Sequence, residues 1–476
     1  MARVVLISTY ELGHQPFGLA SPAAWLRRAG AEVVCLDTAV QQLDRAAVAG
    51  AAMIGVYVPM HTATRLAADL LPELRALAPR ALIVCYGLYA PLNAAYLLER
   101  GADRCVGGEF EAELVALFEE RTKDQGPKTN SRDRGSAGQG SPESGSGSSA
   151  SAPSPSSLVS LDRLAFVPPE RGGLPGLSAY ATLITPEGPR LTGYTEASRG
   201  CKHRCRHCPI VPVYGGRFRV VPREVVLEDV RRQVAAGARH ITFGDPDFLN
   251  GPGHAMPLVR ALHAEFPGLT YDVTVKVEHL LRHAELLPEL RATGCALVTS
   301  AVEALDDAIL ARLDKGHTRA DVARAVALLR QAGLPLNATF VAFTPWTTRA
   351  VYRAFLADVA ALGLVPSVSP VQYTIRLLIP AGSRLLELDE VRALAGPFDR
   401  AALAHPWRHP DPAVDRLQRA AMRLAQGSGP RGESRETFFT RLLALAEEHL
   451  GAAPPVAPEH LVPRPPIPSM SEPWYC

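Results

Sequence analysis

In the stretch Cys201-Lys202-His203-Arg204-Cys205-Arg206-His207-Cys208, potential metal ligands crowd onto one short segment of a 476-residue chain. Three cysteines, separated by three and then two residues, follow a strand-like run over 191–197. Three thiolates on one tight loop can hold three irons of a cubic 4Fe–4S cluster, which leaves the fourth iron without a protein ligand and open to a substrate. A zinc loop is the competing metal reading, and it needs a fourth ligand, from His203 or His207. Chance clustering in a chain with eight cysteines is the third reading.

The spacing C-x3-C-x2-C resembles the signature of the radical S-adenosylmethionine superfamily. The resemblance implies that S-adenosylmethionine binds the open iron through its amino and carboxylate groups. One electron from the cluster then releases a 5′-deoxyadenosyl radical that abstracts hydrogen from a substrate. His207 stands where the superfamily usually has an aromatic residue against the adenine. Such cofactors carry the difficult chemistry, while the protein orients them and excludes water.

These cysteines need elements to position them. The run from Leu158 onward shows strand signals at 191–197, 240–243, 271–275, 296–301, 336–342 and 371–378, with helices between. Six such units resemble the superfamily's partial (β/α)6 barrel, where chemistry sits at the carboxyl ends of the strands. Gly244-Asp245-Pro246-Asp247-Phe248 follows the second strand and resembles the Asp-Asp-x-Phe pattern of the cobalamin-linked class. Asp245 and Asp247 are therefore candidates for the amino group of S-adenosylmethionine; an ordinary Asp-Pro turn is the alternative. Glu303 ends the fourth strand ahead of Lys315-Gly316-His317-Thr318, a run that looks like the family's ribose-contacting strand. A carboxylate there can accept from ribose hydroxyls. Lys276 and Glu278 end the third strand, with Lys276 read either as a partner for a cofactor or substrate carboxylate or as a snorkelling surface lysine. Trp346 is read equally as a pocket wall or a core side chain.

Residues 1–121 alternate short branched-residue runs with helical stretches, as in a parallel sheet covered on both faces. Ligands of such sheets bind at the carboxyl ends of the strands, here the loops at 9–18, 59–62, 87–91 and 107–109. Gly101-Ala102-Asp103-Arg104-Cys105-Val106-Gly107-Gly108-Glu109 resembles the last strand and turn of the cobalamin-binding domain that precedes the barrel in one large class. The first loop departs from that class's D-x-H-x-x-G, and His14 is read as a solvated loop histidine rather than a cobalt ligand. Two readings of this flavodoxin-like unit stay open: it binds cobalamin, or it has no ligand. Cys35, Cys85, Cys105 and Cys295 read as small buried apolar residues.

Residues 122–157 are rich in Ser, Pro and Gly and read as a disordered linker. Residues 158–380 are the expected barrel and 381–451 a helical extension, with apolar spacing over 385–394, 413–425 and 437–450, docked against the barrel mouth. A Pro-rich tail follows over 452–476. Its ending, Trp474-Tyr475-Cys476, looks like that of a radical S-adenosylmethionine family whose members finish in Cys-Sec-Ala-Glu-Pro or Cys-Cys-Ala-Glu-Pro. Cys476 is read as an inert thiol or as the first half of a Cys–Sec pair in a selenoprotein, where it would join the chemistry.

Lys plus Arg number 50 and Asp plus Glu 48, so charge gives no case for a nucleic-acid partner. No apolar run is long enough for a membrane span. Scattered cysteines outside the triplet and an exposed cluster both imply the reducing cytoplasm. The expected enzyme takes a 4Fe–4S cluster, S-adenosylmethionine and, on the first of the two readings, cobalamin. It draws electrons from a reductant such as flavodoxin or ferredoxin and acts on a small-molecule substrate. A non-catalytic iron–sulfur or zinc sensor or scaffold is the alternative from another class.

Overall fold

The computed structural model describes residues 1–124, 158–428, 433–461 and 466–472. The first unit is a parallel sheet of β1 (Arg3–Ser8), β2 (Glu32–Asp37), β3 (Met53–Tyr57), β4 (Leu82–Tyr86), β5 (Arg104–Gly108) and the short β6 (Val159–Ser160), in the order β2-β1-β3-β4-β5-β6. Val4, Val5, Leu6 and Ile7 are fully buried, as expected of a strand covered on both faces. Helices Phe17–Arg28 and Glu111–Asp124 supply Leu19, Leu26, Leu114 and Phe118 to one face. Helix His61–Leu77 supplies Ala67, Leu71 and Leu74 to the other. The helix ending at Asp124 takes in residues 122–124 of the expected linker; 125–157 lie outside the described residues.

The second sheet contains β7 (Thr182–Thr185), β8 (Gly188–Thr195), β11 (His240–Phe243), β12 (Thr270–Thr274), β13 (Cys295–Glu303), β14 (Leu336–Phe340) and β15 (Ser469–Met470). Its order is β14-β13-β12-β11-β8-β7-β15. The strands from β8 to β14 run parallel, while β7 and β15 are antiparallel to their neighbours. Between β8 and β11, a small ribbon of β9 (Ser198–Gly200) and β10 (Phe218–Val220) brackets the cysteine loop. The strand expected over 371–378 is reduced to one bridge, Phe343 with Arg376, after a 3-10 turn at Pro370–Tyr373. Its pairing partner is already used: the Phe340 backbone N–H donates to the Gln372 side chain at 2.9 Å. Helices Pro412–Ser428 and Arg435–Leu450 lie where the apolar spacing puts them. They share one core with the barrel, contributing Leu417, Phe438, Phe439 and Leu442 beside Val298, Phe340 and Tyr373.

Arg199, on β9, joins the two units. Its guanidinium donates to Glu109 at 3.0 Å, to both oxygens of Glu111 at 3.0 and 2.7 Å, and to Glu196 at 2.8 Å. Phe17, Phe110 and Phe166 surround it within 5.8 Å. Arg171 makes a second bridge, donating to Asp229 at 3.0 and 2.9 Å and to Gln15 at 3.1 Å. His14, expected in solvent, is only 7% exposed and packs tilted against Tyr194 with ring centroids 4.8 Å apart, because the first loop packs against β8 rather than pointing outward. Burial lowers its imidazole to about 4, which keeps it neutral.

Asp245, after β11, fixes the corner between β8 and β9. Its carboxylate accepts from the Ala197 N–H at 2.9 Å and from the Ser198 hydroxyl. Burial pushes this carboxyl up to about 7.

Arg199→Met leaves buried carboxylates without their cation. It is expected to cost about 3–5 kcal/mol, read as a lower denaturation midpoint. Asp245 titrates in the folded chain above its ordinary 3.8, so the unfolded chain ionises first and stability falls as pH rises through that window to about 7. Asp245→Asn removes that slope. The stability difference, variant minus parent, is expected to grow between about pH 4 and about pH 7 in denaturant titrations; a constant difference contradicts this account.

Candidate functional site

The cysteine loop begins at Gly200, whose φ of 72° leaves no room for a side chain, since a Cβ would meet the Arg217 carbonyl at 2.4 Å. Its backbone is then held from several sides. The Arg206 N–H donates to the Leu313 carbonyl at 2.9 Å, and the Arg206 guanidinium donates to the Arg312 carbonyl at 3.0 Å. Ser383 donates to the Arg206 carbonyl at 3.3 Å, and Arg384 donates to the Arg204 carbonyl. Asn250 donates to the Cys201 Sγ at 3.5 Å and accepts from the Lys202 N–H at 3.4 Å. Asn250 has no sequence signal of its own; only the fold brings it beneath the loop.

Cys205 is buried, while Cys201 and Cys208 are half-buried and share one loop. Burial pushes the Cys201 thiol up and the Cys208 thiol to about 12, so a metal displacing the protons is what would hold them as thiolates. The histidines that a zinc site would need turn elsewhere: His207 lies on Glu303 and His203 on His279. With those two histidines engaged, a tetrahedral zinc would lack its fourth ligand, whereas three thiolates suffice for a cube with one open iron. The triplet therefore fits a 4Fe–4S cluster better than a zinc ion.

Glu303, at the end of β13, has φ of 70°, and the pairing with β14 shifts register at that residue. A left-handed glutamate is uncommon and carries strain, which concentrates at functional positions. One oxygen accepts from Lys315 at 3.4 Å and lies 3.1 Å from the His207 Nε2. Burial pushes its carboxyl up, but Lys315 first and His207 second hold it down at about 2. Beside it opens a cavity of about 250 Å³ walled by Leu305, Ile309, Val341, Ala342 and Phe355. Trp346 lies in the small core around Ile309 and Leu385, with the Arg312 guanidinium over its ring at 5.5 Å.

Across the mouth, Asp247 is 2% exposed, with its Oδ2 2.7 Å from the His279 Nδ1 and 3.7 Å from the His203 Nε2. Lys276 is buried rather than snorkelling: its Nζ lies 2.9 Å from the His203 Nδ1 and 3.2 Å from Glu278. Glu278 and His279 belong to the helix Val277–Arg282 that follows β12. Asp245 does not face this space, because both its oxygens are taken by Ala197 and Ser198. Cys476 lies outside the described residues.

The carboxyl edge of the first sheet faces the same region. Leu92 and Leu88 pack with Val213, Tyr214 and Ile210, on the helix Ile210–Tyr214 just after Cys208. Pro59, Met60 and Leu88 on that edge, with Ile210 and Pro212 opposite, are partly exposed. These residues fit the apolar rim that a flat ring needs. Gly107 and Gly108 serve the chain itself: a Cβ there would meet Pro91 at 2.6 Å and the Ser160 carbonyl at 2.1 Å, respectively.

Residues 195–351 match the Radical SAM superfamily model, and residues 3–118 match the B12 binding domain model. The cobalamin-dependent S-adenosylmethionine radical enzyme OxsB, solved with aqua-cobalamin, superposes with a TM-score of 0.66 at 13% identity, over 95% of this chain and 72% of that one. The radical S-adenosylmethionine methyltransferase TsrM of Kitasatospora setae, solved with tryptophan and a SAM analogue, gives 0.60 at 19% identity, over 83% and 78%. Such identities speak for the fold. Among curated proteins, the tRNA-2-methylthio-N(6)-dimethylallyladenosine synthase of Herpetosiphon aurantiacus is 26% identical over 183 residues, 35% of this chain and 40% of that protein. The hopanoid C-3 methylase of Methylococcus capsulatus is 26% identical over 151 residues, 32% and 29% of the two chains. The chain thus spans less than half the length of these curated relatives. The chain therefore joins a B12 binding domain to a Radical SAM domain.

Proposed function

We propose that this chain cleaves S-adenosylmethionine reductively at a cluster held by Cys201, Cys205 and Cys208, and transfers a methyl group to a small-molecule substrate. The observation that carries this reading is the pairing of a three-cysteine loop with an ionised, strained Glu303 on the same barrel mouth. The cluster would supply the electron and an open iron for S-adenosylmethionine, and cobalamin a methyl carrier. The chain's own residues bind and orient. Glu303 accepts from the ribose hydroxyls, with Lys315 keeping it ionised and His207 limiting its swing. The apolar walls beside Glu303 take the adenine and exclude water. Asp247 faces the methionyl end, and Asp245 acts indirectly, by holding the corner from which the cysteine loop departs.

Methylthiotransferases and a methylase among the relatives support group transfer rather than a sensor role. Among the described residues, no helix is long and apolar enough to cross a membrane, in keeping with an enzyme that meets flavodoxin or ferredoxin in the cytoplasm. Cys476 as the first half of a Cys–Sec pair is a separate reading, tested by reading the gene beyond the Cys476 codon for a UGA, Ala-Glu-Pro codons and a selenocysteine insertion hairpin.

Anaerobic reconstitution tests the whole. The expected product is a brown protein that cleaves S-adenosylmethionine when reduced, and alanine at any of the three cysteines is expected to abolish both colour and cleavage. A colourless protein holding one zinc would instead support a scaffold. Glu303→Gln is expected to retain the iron and to weaken S-adenosylmethionine binding roughly tenfold, the worth of one charge-assisted hydrogen bond. Equilibrium dialysis reads that change; unchanged affinity removes Glu303 from the ribose.

A further inference from the structure

We propose that His203, Asp247 and His279 form a second metal site, for one divalent transition-metal ion, on the barrel mouth beside the cysteine loop. These residues come from three separate places, the loop between Cys201 and Cys205, the turn after β11 and the helix after β12, yet their ligand atoms converge within 4.8 Å. The separations bracket what one ion imposes. Asp247 Oδ2 is 2.7 Å from His279 Nδ1 and 3.7 Å from His203 Nε2. Donors about 2.1 Å from a shared centre lie about 3.0–3.4 Å from one another.

The second observation is that Asp247 Oδ2 and His279 Nδ1 are buried and make no hydrogen bond despite their closeness. A hydrogen bond would need a ring N–H aimed at a carboxylate lone pair, and that alignment is missing here. A cation between them would satisfy both at once, and nothing else among the described residues does. Two imidazoles and one carboxylate leave open positions on the ion and suit the iron, cobalt and zinc class. Glu278 accepts from Lys276 at 3.2 Å and lies 3.6 Å from the His203 Nδ1, which places a negative charge beside the site. Lys276 is the opposing element, because its ammonium, 2.9 Å from His203 Nδ1, repels the incoming ion. The open positions would anchor a substrate carrying a carboxylate, thiolate or similar donor. This inference does not rest on the cluster reading, since none of its ligands is a cysteine.

Zinc binding by the full chain tests it, measured by equilibrium dialysis and elemental analysis in a background of Cys201→Ala, Cys205→Ala and Cys208→Ala. One zinc ion per chain is expected. His279→Ala and, separately, Asp247→Asn are expected to weaken it roughly a hundredfold, each checked for native circular dichroism. Lys276→Met is expected to tighten it roughly tenfold by removing a like charge. Zinc lost along with the cysteines, retained in both ligand variants, or unaffected by Lys276→Met would overturn the proposal. Because the cluster is absent from this background, that outcome is distinguishable from failure of the cluster reading.

Discussion

One buried guanidinium holds this architecture together. Arg199 reaches three carboxylates from both domains while aromatic rings exclude water around it, so its charge acts in a low-dielectric setting. Burial pushes Glu109 and Glu196 up, and only Glu111 is held below the ordinary range, with Arg199 overcoming its burial. One cation therefore need not balance three full negative charges. The geometry matters more than the sum: the bidentate contact to Glu111 sets the angle at which the first domain meets β9. Cys201 lies two residues further on, so the interface and the cysteine loop share a short stretch of backbone.

Beyond that joint, the barrel mouth is polarised into two sides. On one, Lys315 and His207 converge on a single oxygen of Glu303, an ionised carboxylate on a strained strand end. On the other, Asp247 lies between two imidazoles without a hydrogen bond to its Oδ2. The cysteine loop supplies a histidine to each side, His207 to the first and His203 to the second, so its intervening residues are not mere spacers. Folding positions the loop through backbone contacts with helix Asp307–Leu313 and with Ser383 and Arg384, which frees its side chains for the site.

The parts legible in the sequence were those whose physics is local. The cysteine spacing, the branched runs of β1 to β4 and the apolar periodicity of the two long C-terminal helices each declare themselves within a short stretch of sequence. Glu303 was legible by position, but its positive φ was not, because that depends on the register shift against β14. Long-range partners defeated the rest. His14 looked solvated because Tyr194, which covers it, lies far along the chain. Lys276 looked like a surface lysine until His203 and Glu278 closed on it. The strand expected over 371–378 has the right residues, but Gln372 satisfies the edge with a side chain instead of a ladder.

The short β15 alters how the chain must be made. Ser471 accepts and donates hydrogen bonds with Thr182 across 289 residues of sequence, beside a ladder that completes the barrel's outer edge, and Glu472 then meets Tyr10 of the first domain. During synthesis β7 emerges long before its partner, so its edge stays unpaired on the ribosome until almost all of the described chain has been translated. Closing so long a loop is entropically unfavourable and comes late. The nascent protein therefore passes through a stage in which both domains are formed and joined through Arg199 and Arg171 while the outer edge of β7 is still open.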